Sequence, residues 1–381
     1  METAIWLDQL NAAERAELVR GAGAIPEPRP DLLIVGGGIA GVATAAACHQ
    51  AGLGSVLLIE AGHLGAGATG GAAGLLTPEI HEWSDPEPFV DLARASLDQW
   101  AELEESSPGG VGLVDVDWIG LSPDPGALAP HQSPAVEWLE PDYVAKLIPG
   151  LSLPMAGALI HHQGRVNPLR SLARLSATLP AVATGVAATG VTLRGDRIVS
   201  VDTTAGQVQP GAVIFATGLP PVLDGLELDV PWERVKGHLL VTEPTPVRLP
   251  GIVAPVATQL EDGRLLVGGT FDMGDESPVV RREIIESILA GLYATLPQLH
   301  GLRADYTWCC FRPRHPDGLP VIDRIHGLGN AWLTSGHYRT GILLAPVTAQ
   351  ALVRWISSDQ PPAEAAAWSS ERFAGRGLPG R

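Results

Sequence analysis

Three glycines, Gly36, Gly38 and Gly41, form the pattern G-x-G-x-x-G, and Glu60 follows about 20 residues after the last of them. Such a pattern holds a dinucleotide pyrophosphate, provided that a strand precedes it and a helix follows. Gly36 permits a tight turn, Gly38 lets the pyrophosphate approach the backbone, and Gly41 lets helix pack on strand. N–H groups of the helix N-terminus, at Ile39 and Ala40, then face the phosphate charge. Glu60 would accept hydrogen bonds from ribose hydroxyls. The flanks meet the condition: DLLIVGG reads as a buried strand, IAGVATAAACHQAG as an Ala-rich helix and SVLLIE as the next strand. Beyond it, GHLGAGATGGAAGLL is a second Gly/Ala-rich loop, containing Thr69, whose small residues suit a cofactor lying along the chain. FAD and NAD proteins share this fingerprint.

The elements that must hold such a site fit within 381 residues, enough for two lobes sharing an interface. METAIWLDQLNAAERAELVRG reads as an amphipathic helix, joined by the Pro-rich IPEPRP to the first strand. Residues 91–105 have helical spacing, VGLVDVDWIGLS is extended, and GRVNPLRSLARLSATL turns helical after Pro168. Residues 186–216 read as a small β-meander of GVTLRG, RIVSVDTTAG and AVIFATG, while VKGHLLVTE, GIVAPVA and RLLVGGTF alternate as antiparallel strands do. A helix over 281–297, strands at Tyr306–Phe311 and AWLTSG, and a last helix from about Ile342 to Trp355 complete the pattern.

Composition narrows the chemistry. The chain is 45% hydrophobic and 18% charged, as globular proteins are. A net charge of −17, with no run of Lys and Arg, excludes nucleic acid as a partner. LLIVGGGIAGVATAAAC approaches membrane-spanning length without a charge, but its Gly triplet fits a strand–turn–helix, and no span is expected. Cys48, Cys309 and Cys310 supply neither a disulfide framework nor a metal-ligand spacing. The acidic opening segment is unlike a signal peptide, so the chain reads as cytoplasmic.

LLIVGGGIAGVATA, LLIEAGHLGAGATGGAAGLL, GRVNPLRSLARL, AVIFATG, RLLVGGT, FRPRHPDGLPVID and GHYRTGILLAP occur in that order over residues 32 to 346. In these stretches the chain resembles the D-amino-acid-oxidase superfamily of FAD enzymes, in its glycine oxidase and sarcosine oxidase branch. The resemblance implies an α/β fold, with a Rossmann-type FAD-binding domain and a second, antiparallel-sheet substrate domain. On that reading 31–90, 156–225 and 301–360 form the FAD-binding domain, 91–155 and 226–300 the substrate domain, and 1–30 an N-terminal extension unusual for the family. It adds Ala61, Ala68, Gly74, Leu75, Ala216, Thr217 and Gly218 to the residues expected on the cofactor.

The same resemblance places Arg312 on the substrate carboxylate and Arg339 as a second arginine of that pocket, with His337 and Tyr338 flanking it. A guanidinium suits the role, because its planar fork pairs bidentately with a carboxylate and fixes the Cα–H toward the flavin. Arg314 and His315 read as loop residues. Thr340, Gly341 and Ile342 start the last helix, and their N–H groups would stabilise negative charge on the flavin's pyrimidine edge. Sarcosine oxidases bond their flavin covalently to a Cys followed by P-D and I-D, offsets matched here by Cys310, Pro316-Asp317 and Ile322-Asp323. Glycine oxidases carry Gly there and bind FAD non-covalently, the mode favoured here, with a link at Cys310 as the alternative. Cys309 alternates to the other strand face and is expected in the core.

The expected reaction is oxidation of a small amine or amino acid, of glycine, sarcosine or D-amino acid type, to an imine, with O2 reoxidising the flavin. A dehydrogenase passing electrons to a quinone or protein, and a non-catalytic FAD-binding subunit of a larger complex, are the rival readings. A nicotinamide dehydrogenase shares the glycine fingerprint alone. The oligomeric state stays open.

Overall fold

A computed structural model of the chain describes residues 4–128 and 135–374. Leu32–Val35 lies inside a six-stranded sheet, flanked in parallel by Val56–Glu60 and Ala212–Gly218. Ala181–Thr184 and Ala331–Ser335 extend it in parallel on either side, and Val321–Arg324 closes one edge antiparallel. The central strand is apolar throughout because both its faces are covered. Leu32 and Ile34 pack into a layer containing the helices Ile39–Gln50 and Ala345–Ser358. Leu33 and Val35 pack on the opposite face, against Val191, Ile198 and Val201 of a three-stranded sheet. Alternation along one strand thus serves two cores.

That small sheet corrects the expected meander. Ala188–Arg194, Arg197–Thr203 and Gly206–Val208 form it, whereas AVIFATG leaves it and pairs with Leu32–Val35. AVIF is buried at Val213, Ile214 and Phe215 without alternation, the mark of a strand covered on both faces.

A ten-stranded sheet forms the other half. It is largely antiparallel: Glu233–Thr242 pairs with Leu265–Gly268 and Ala304–Arg314, and Val114–Ser122 with Ala156–Arg165. Ile252–Ala254 departs from the antiparallel expectation, running parallel to Val114–Ser122. Leu75–Leu76, Ala156–Arg165 and Ala304–Arg314, grouped by sequence with the dinucleotide lobe, are strands of this second sheet. Chain order records which strand follows which, and these three pair with distant partners instead.

The opening segment is two short helices, Ile5–Leu7 and Ala12–Glu17, rather than one; residues 1–3 of the expected helix lie outside the described residues. Asn11 breaks it. Its side chain accepts from the Glu14 N–H at 2.9 Å while the Glu14 carboxylate accepts from the Asn11 N–H at 3.0 Å, a reciprocal cap that starts a new helix. Trp6, fully buried, anchors the segment in the helical core layer. Among the described residues, no helix is long and apolar enough to cross a membrane, and no group of three or more His, Cys, Asp or Glu could hold a metal ion.

Candidate active site

A cavity of about 630 Å³ runs from the carboxyl ends of the parallel strands to the face of the ten-stranded sheet. Ligand sites of open α/β sheets form at such strand ends. Its wall gathers Gly36, Gly38, Ile39, Ala40, Glu60, Ala68, Thr69, Gly74, Leu75, Ala216, Thr217 and Gly218 with Cys310, Arg312, His337, Tyr338, Arg339, Thr340, Gly341 and Ile342. Two expected residues stand off this wall. Ala61 is exposed beyond the end of its strand. Gly41 lies inside the helix, where a Cβ would stand 2.0 Å from the Gly36 carbonyl oxygen, so it serves the packing of helix on turn.

At the dinucleotide end, the turn is fixed by sterics and by two side chains. Gly36 has φ +119°, and a Cβ there would lie 2.4 Å from the Ala216 oxygen. Glu60 accepts from the Gly37 N–H at 2.6 Å and the Gly62 N–H at 2.8 Å, and the Thr69 hydroxyl accepts from the Ile39 N–H at 3.0 Å. The amides of Gly38 and Ala40 meet no protein acceptor among the described residues. The expected use of Ile39 is thus shifted: its N–H is already held, and its neighbours carry the open donors.

The far end of the cavity repeats the arrangement. The last helix begins at Ala345, three residues after the expected start. Pro346 has no N–H to give the Ile342 carbonyl, so the helical ladder stops there. The Trp100 indole instead donates to the Ile342 and Leu343 oxygens at 3.1 and 3.2 Å, and Ser96 donates to Leu343 at 2.5 Å. Thr340 spends its N–H on the His337 oxygen. Gly341, Ile342 and Leu343 line the cavity with amides that meet no protein acceptor among the described residues. Thr334, 1% exposed, adds a hydroxyl with no hydrogen-bond partner among the described residues. Open donors at both ends and a Gly/Ala wall between them fit an elongated ligand with acceptors at each end, as a flavin dinucleotide has.

The small-residue loop is pinned by two indoles outside the cavity and one thiol on its wall. Trp6 donates to the Ala72 oxygen at 2.9 Å; the Trp308 indole and the Cys310 thiol donate to the Gly71 oxygen at 3.0 and 3.2 Å. Burial pushes the Cys310 thiol up to about 11, so it remains protonated at neutral pH. Cys309 faces away from it, half-buried at the Pro278 oxygen, 3.4 Å away, rather than in the core. Neither Trp6 nor Thr334 belongs to a motif that the sequence discloses.

At the substrate end the two arginines differ. Arg312 lies opposite Val235 in the long antiparallel pair of Glu233–Thr242 with Ala304–Arg314, donates to the Thr270 oxygen at 2.8 Å and stacks 4.7 Å from the Phe271 ring centre. Gly237 makes room for it, since a Cβ there would be 2.3 Å from Nη1. No carboxylate pairs with Arg312 among the described residues. Arg339 already has one: Nη2 lies 3.2 Å from Asp85 Oδ2 and 2.9 Å from the Ser84 hydroxyl.

His337 and Tyr338 support this end. His337 is buried, with Nε2 3.2 Å from the Thr348 hydroxyl, and burial, reinforced by His315, holds its pKa down to about 4. It is a neutral ring, and its carbonyl anchors the Thr340 turn. Tyr338 takes the left-handed region at φ +52°, its N–H tied to the Pro313 oxygen at 2.7 Å. Arg314 belongs to a strand and not to a loop, whereas His315 does lie in the loop, as expected, though buried. Arg314 ends the strand, ion-paired to Glu233, and His315 is buried between the Pro231 oxygen and the Ser335 hydroxyl.

A family model described as FAD dependent oxidoreductase matches residues 31–355. A glycine oxidase of Pseudomonas aeruginosa is 30% identical over 352 residues, covering 87% of this chain and 95% of the relative. A hydrogen cyanide synthase subunit HcnC of Pseudomonas protegens is 29% identical over 262 residues, covering 64% of this chain and 62% of the relative. Among solved structures, glycine oxidase from Geobacillus kaustophilus superposes with a TM-score of 0.80 at 27% identity, covering 91% of this chain and all of that one. L-proline dehydrogenase from P. horikoshii gives the same TM-score at 18% identity, a likeness of fold.

Proposed function

Because the chain belongs to the family of FAD-dependent oxidoreductases, we propose that it oxidises a small amino acid of glycine, sarcosine or D-amino acid type to the imine. The observation that carries this is Arg312, a cation without a carboxylate partner among the described residues, on the same wall as the dinucleotide cradle. Held in that cavity, FAD would supply the oxidant, with N5 as the acceptor of the Cα hydride and O2 as the final electron acceptor that gives H2O2.

The chain's own groups bind and align. Arg312 receives the substrate carboxylate through its fork of N–H donors, and its plane is set by the Thr270 oxygen and the Phe271 ring. Holding the carboxylate fixes where Cα stands, which turns an encounter into an aligned reaction. The amides of Gly341, Ile342 and Leu343 offer donors where negative charge would build on the cofactor. Gly38 and Ala40 offer theirs to the pyrophosphate. Cys310, protonated and bonded to Gly71, is poorly placed to act as a thiolate, which supports a non-covalent cofactor. A cytoplasmic setting belongs to the same reading and accords with three cysteines that form no disulfide with one another.

The test is to purify the yellow protein and add glycine, sarcosine or D-alanine without oxygen. Bleaching of the flavin band by at least one, with peroxide formed on admitting air, is the expected result. A flavin band unchanged by all three overturns the reading. Bleaching without peroxide would assign the same oxidation to a quinone or protein acceptor.

A further inference from the structure

Beside Arg339 lies a second, polar cavity of about 310 Å³, lined among others by Ser84, Asp85, Arg314 and Asp317. His81 lines both cavities, whereas Asp85 lines only the second. His81 sits in the short helix Pro78–Trp83 and is 3% exposed. Its Nδ1 is 2.8 Å from Asp85 Oδ2, and its ring packs edge-on against Phe89 at 5.3 Å. A carboxylate at that distance requires a donor, which puts the ring proton on Nδ1 and a lone pair on Nε2. Arg339 Nη2 also stands near that Nδ1, but farther off, at 3.4 Å; among the described residues, Nε2 meets no protein partner. Asp85 is itself fixed by the Ser84 hydroxyl at 2.9 Å and by Arg339. Two neutral backbone bonds to the His81 oxygen, from Ser84 and Asp85, close the turn that presents the ring.

Resting on the amine-oxidation reading above, we propose that the His81–Asp85 pair is the proton acceptor of the reaction and conducts the substrate's ammonium proton into the second cavity. Hydride loss from Cα needs the nitrogen lone pair, so the ammonium must first lose a proton. In the step, one N–H bond of the ammonium breaks and its electron pair stays on nitrogen. The proton bonds to His81 Nε2, and no electron changes hands. The imidazolium so formed is balanced by Asp85, and the proton then passes to water on the polar side. The charged groups facing the ring are Asp85 and Arg339; Arg314 and Asp317 stand farther along the second cavity. Burial, with Arg339 adding to it, keeps His81 below its ordinary range against the pull of Asp85. The ring is therefore neutral, and able to accept, at pH 7. This assignment also gives a use to Asp85 beyond neutralising Arg339.

The test is anaerobic stopped-flow reduction of the FAD-loaded protein by saturating glycine and sarcosine between pH 6 and 9. Wild type is expected to reduce at a rate nearly constant above pH 7. His81→Asn is expected to be about 100-fold slower at pH 7, the lower range for a lost acid–base group. Its rate should climb steeply toward the amine's own titration, and added imidazole should recover part of it. Asp85→Asn keeps the ring but loses its anchor, and should show the same displaced profile; it carries the test if His81→Asn fails to hold flavin. Variants with the wild-type rate and an unshifted profile overturn the relay and leave amine oxidation standing. Wild-type flavin that neither amine reduces overturns amine oxidation, and the relay with it.

Discussion

The two ends of the cavity are built from different materials. At the dinucleotide end the open groups are backbone amides, set by glycines that tolerate no Cβ and by Glu60 and Thr69. At the substrate end they are side chains on separate elements, where Arg312 is open and Arg339 is held by Asp85. A backbone cradle is specified by a few contiguous residues, because sterics alone dictate which types fit. A side-chain constellation is specified by strand pairing and by neighbours that arrive from anywhere in the chain.

Substitutions can break that comparison, and the most severe lies in the glycine turn. Gly41→Val places a branched side chain where even a Cβ meets the Gly36 oxygen at 2.0 Å. We expect no yellow protein at all, read as the absence of flavin absorbance in the purified fraction. A folded Gly41→Val protein with full flavin would refute the steric account. Trp6 comes next, since it lies outside the family match yet pins Ala72. Trp6→Ala should cost about 3–5 kcal/mol in denaturant unfolding and loosen FAD, with weakened flavin binding separating loop positioning from simple loss of packing. A third test uses pH. The His337 ring is held at about 4 by burial, against an ordinary value of 6.5, so the unfolded chain binds the proton more readily. Its contribution is full above pH 6.5 and is lost as pH falls toward 4, by about 3 kcal/mol. His81 and His315, also shifted downward by burial, act in the same direction. Stability of a His337→Gln protein should therefore fall less across that window; an identical fall would remove His337 from the account. The mildest change sharpens the substrate end. Gly237→Ala pushes on the end of the Arg312 side chain and not on backbone, so the fold and flavin should survive while kcat/KM for glycine drops about 100-fold.

The sequence disclosed the cradle nearly whole for the reason given above. LLIVGGG and SVLLIE sit where their apolar runs imply, and Gly36, Gly38, Glu60 and Thr69 meet at one turn. AVIFATG escaped because a short apolar run looks alike in a meander and in a buried parallel strand; only pairing to Leu32–Val35 tells them apart. The start of the last helix was misplaced since Pro346 reads as a good early helix residue, while its missing N–H also ends the ladder from Ile342. His81, Asp85 and Trp6 were silent for a different reason. Trp6 and Asp85 meet residues 66 and 254 positions away, and no local spacing records such a meeting; His81 lies only four residues from Asp85, but the cavity that gives the pair a use is walled by distant elements.

The arginines test the account most directly. Anaerobic flavin reduction should be measured for wild type, Arg312→Leu and Arg339→Leu, each with glycine and with methylamine, which lacks the carboxylate. If Arg312 is the open carboxylate receptor, Arg312→Leu loses its preference for glycine over methylamine, and Arg339→Leu, which loses its ties to Asp85 and Ser84, keeps most of it. Equal preference in wild type and Arg312→Leu would contradict the account at its centre.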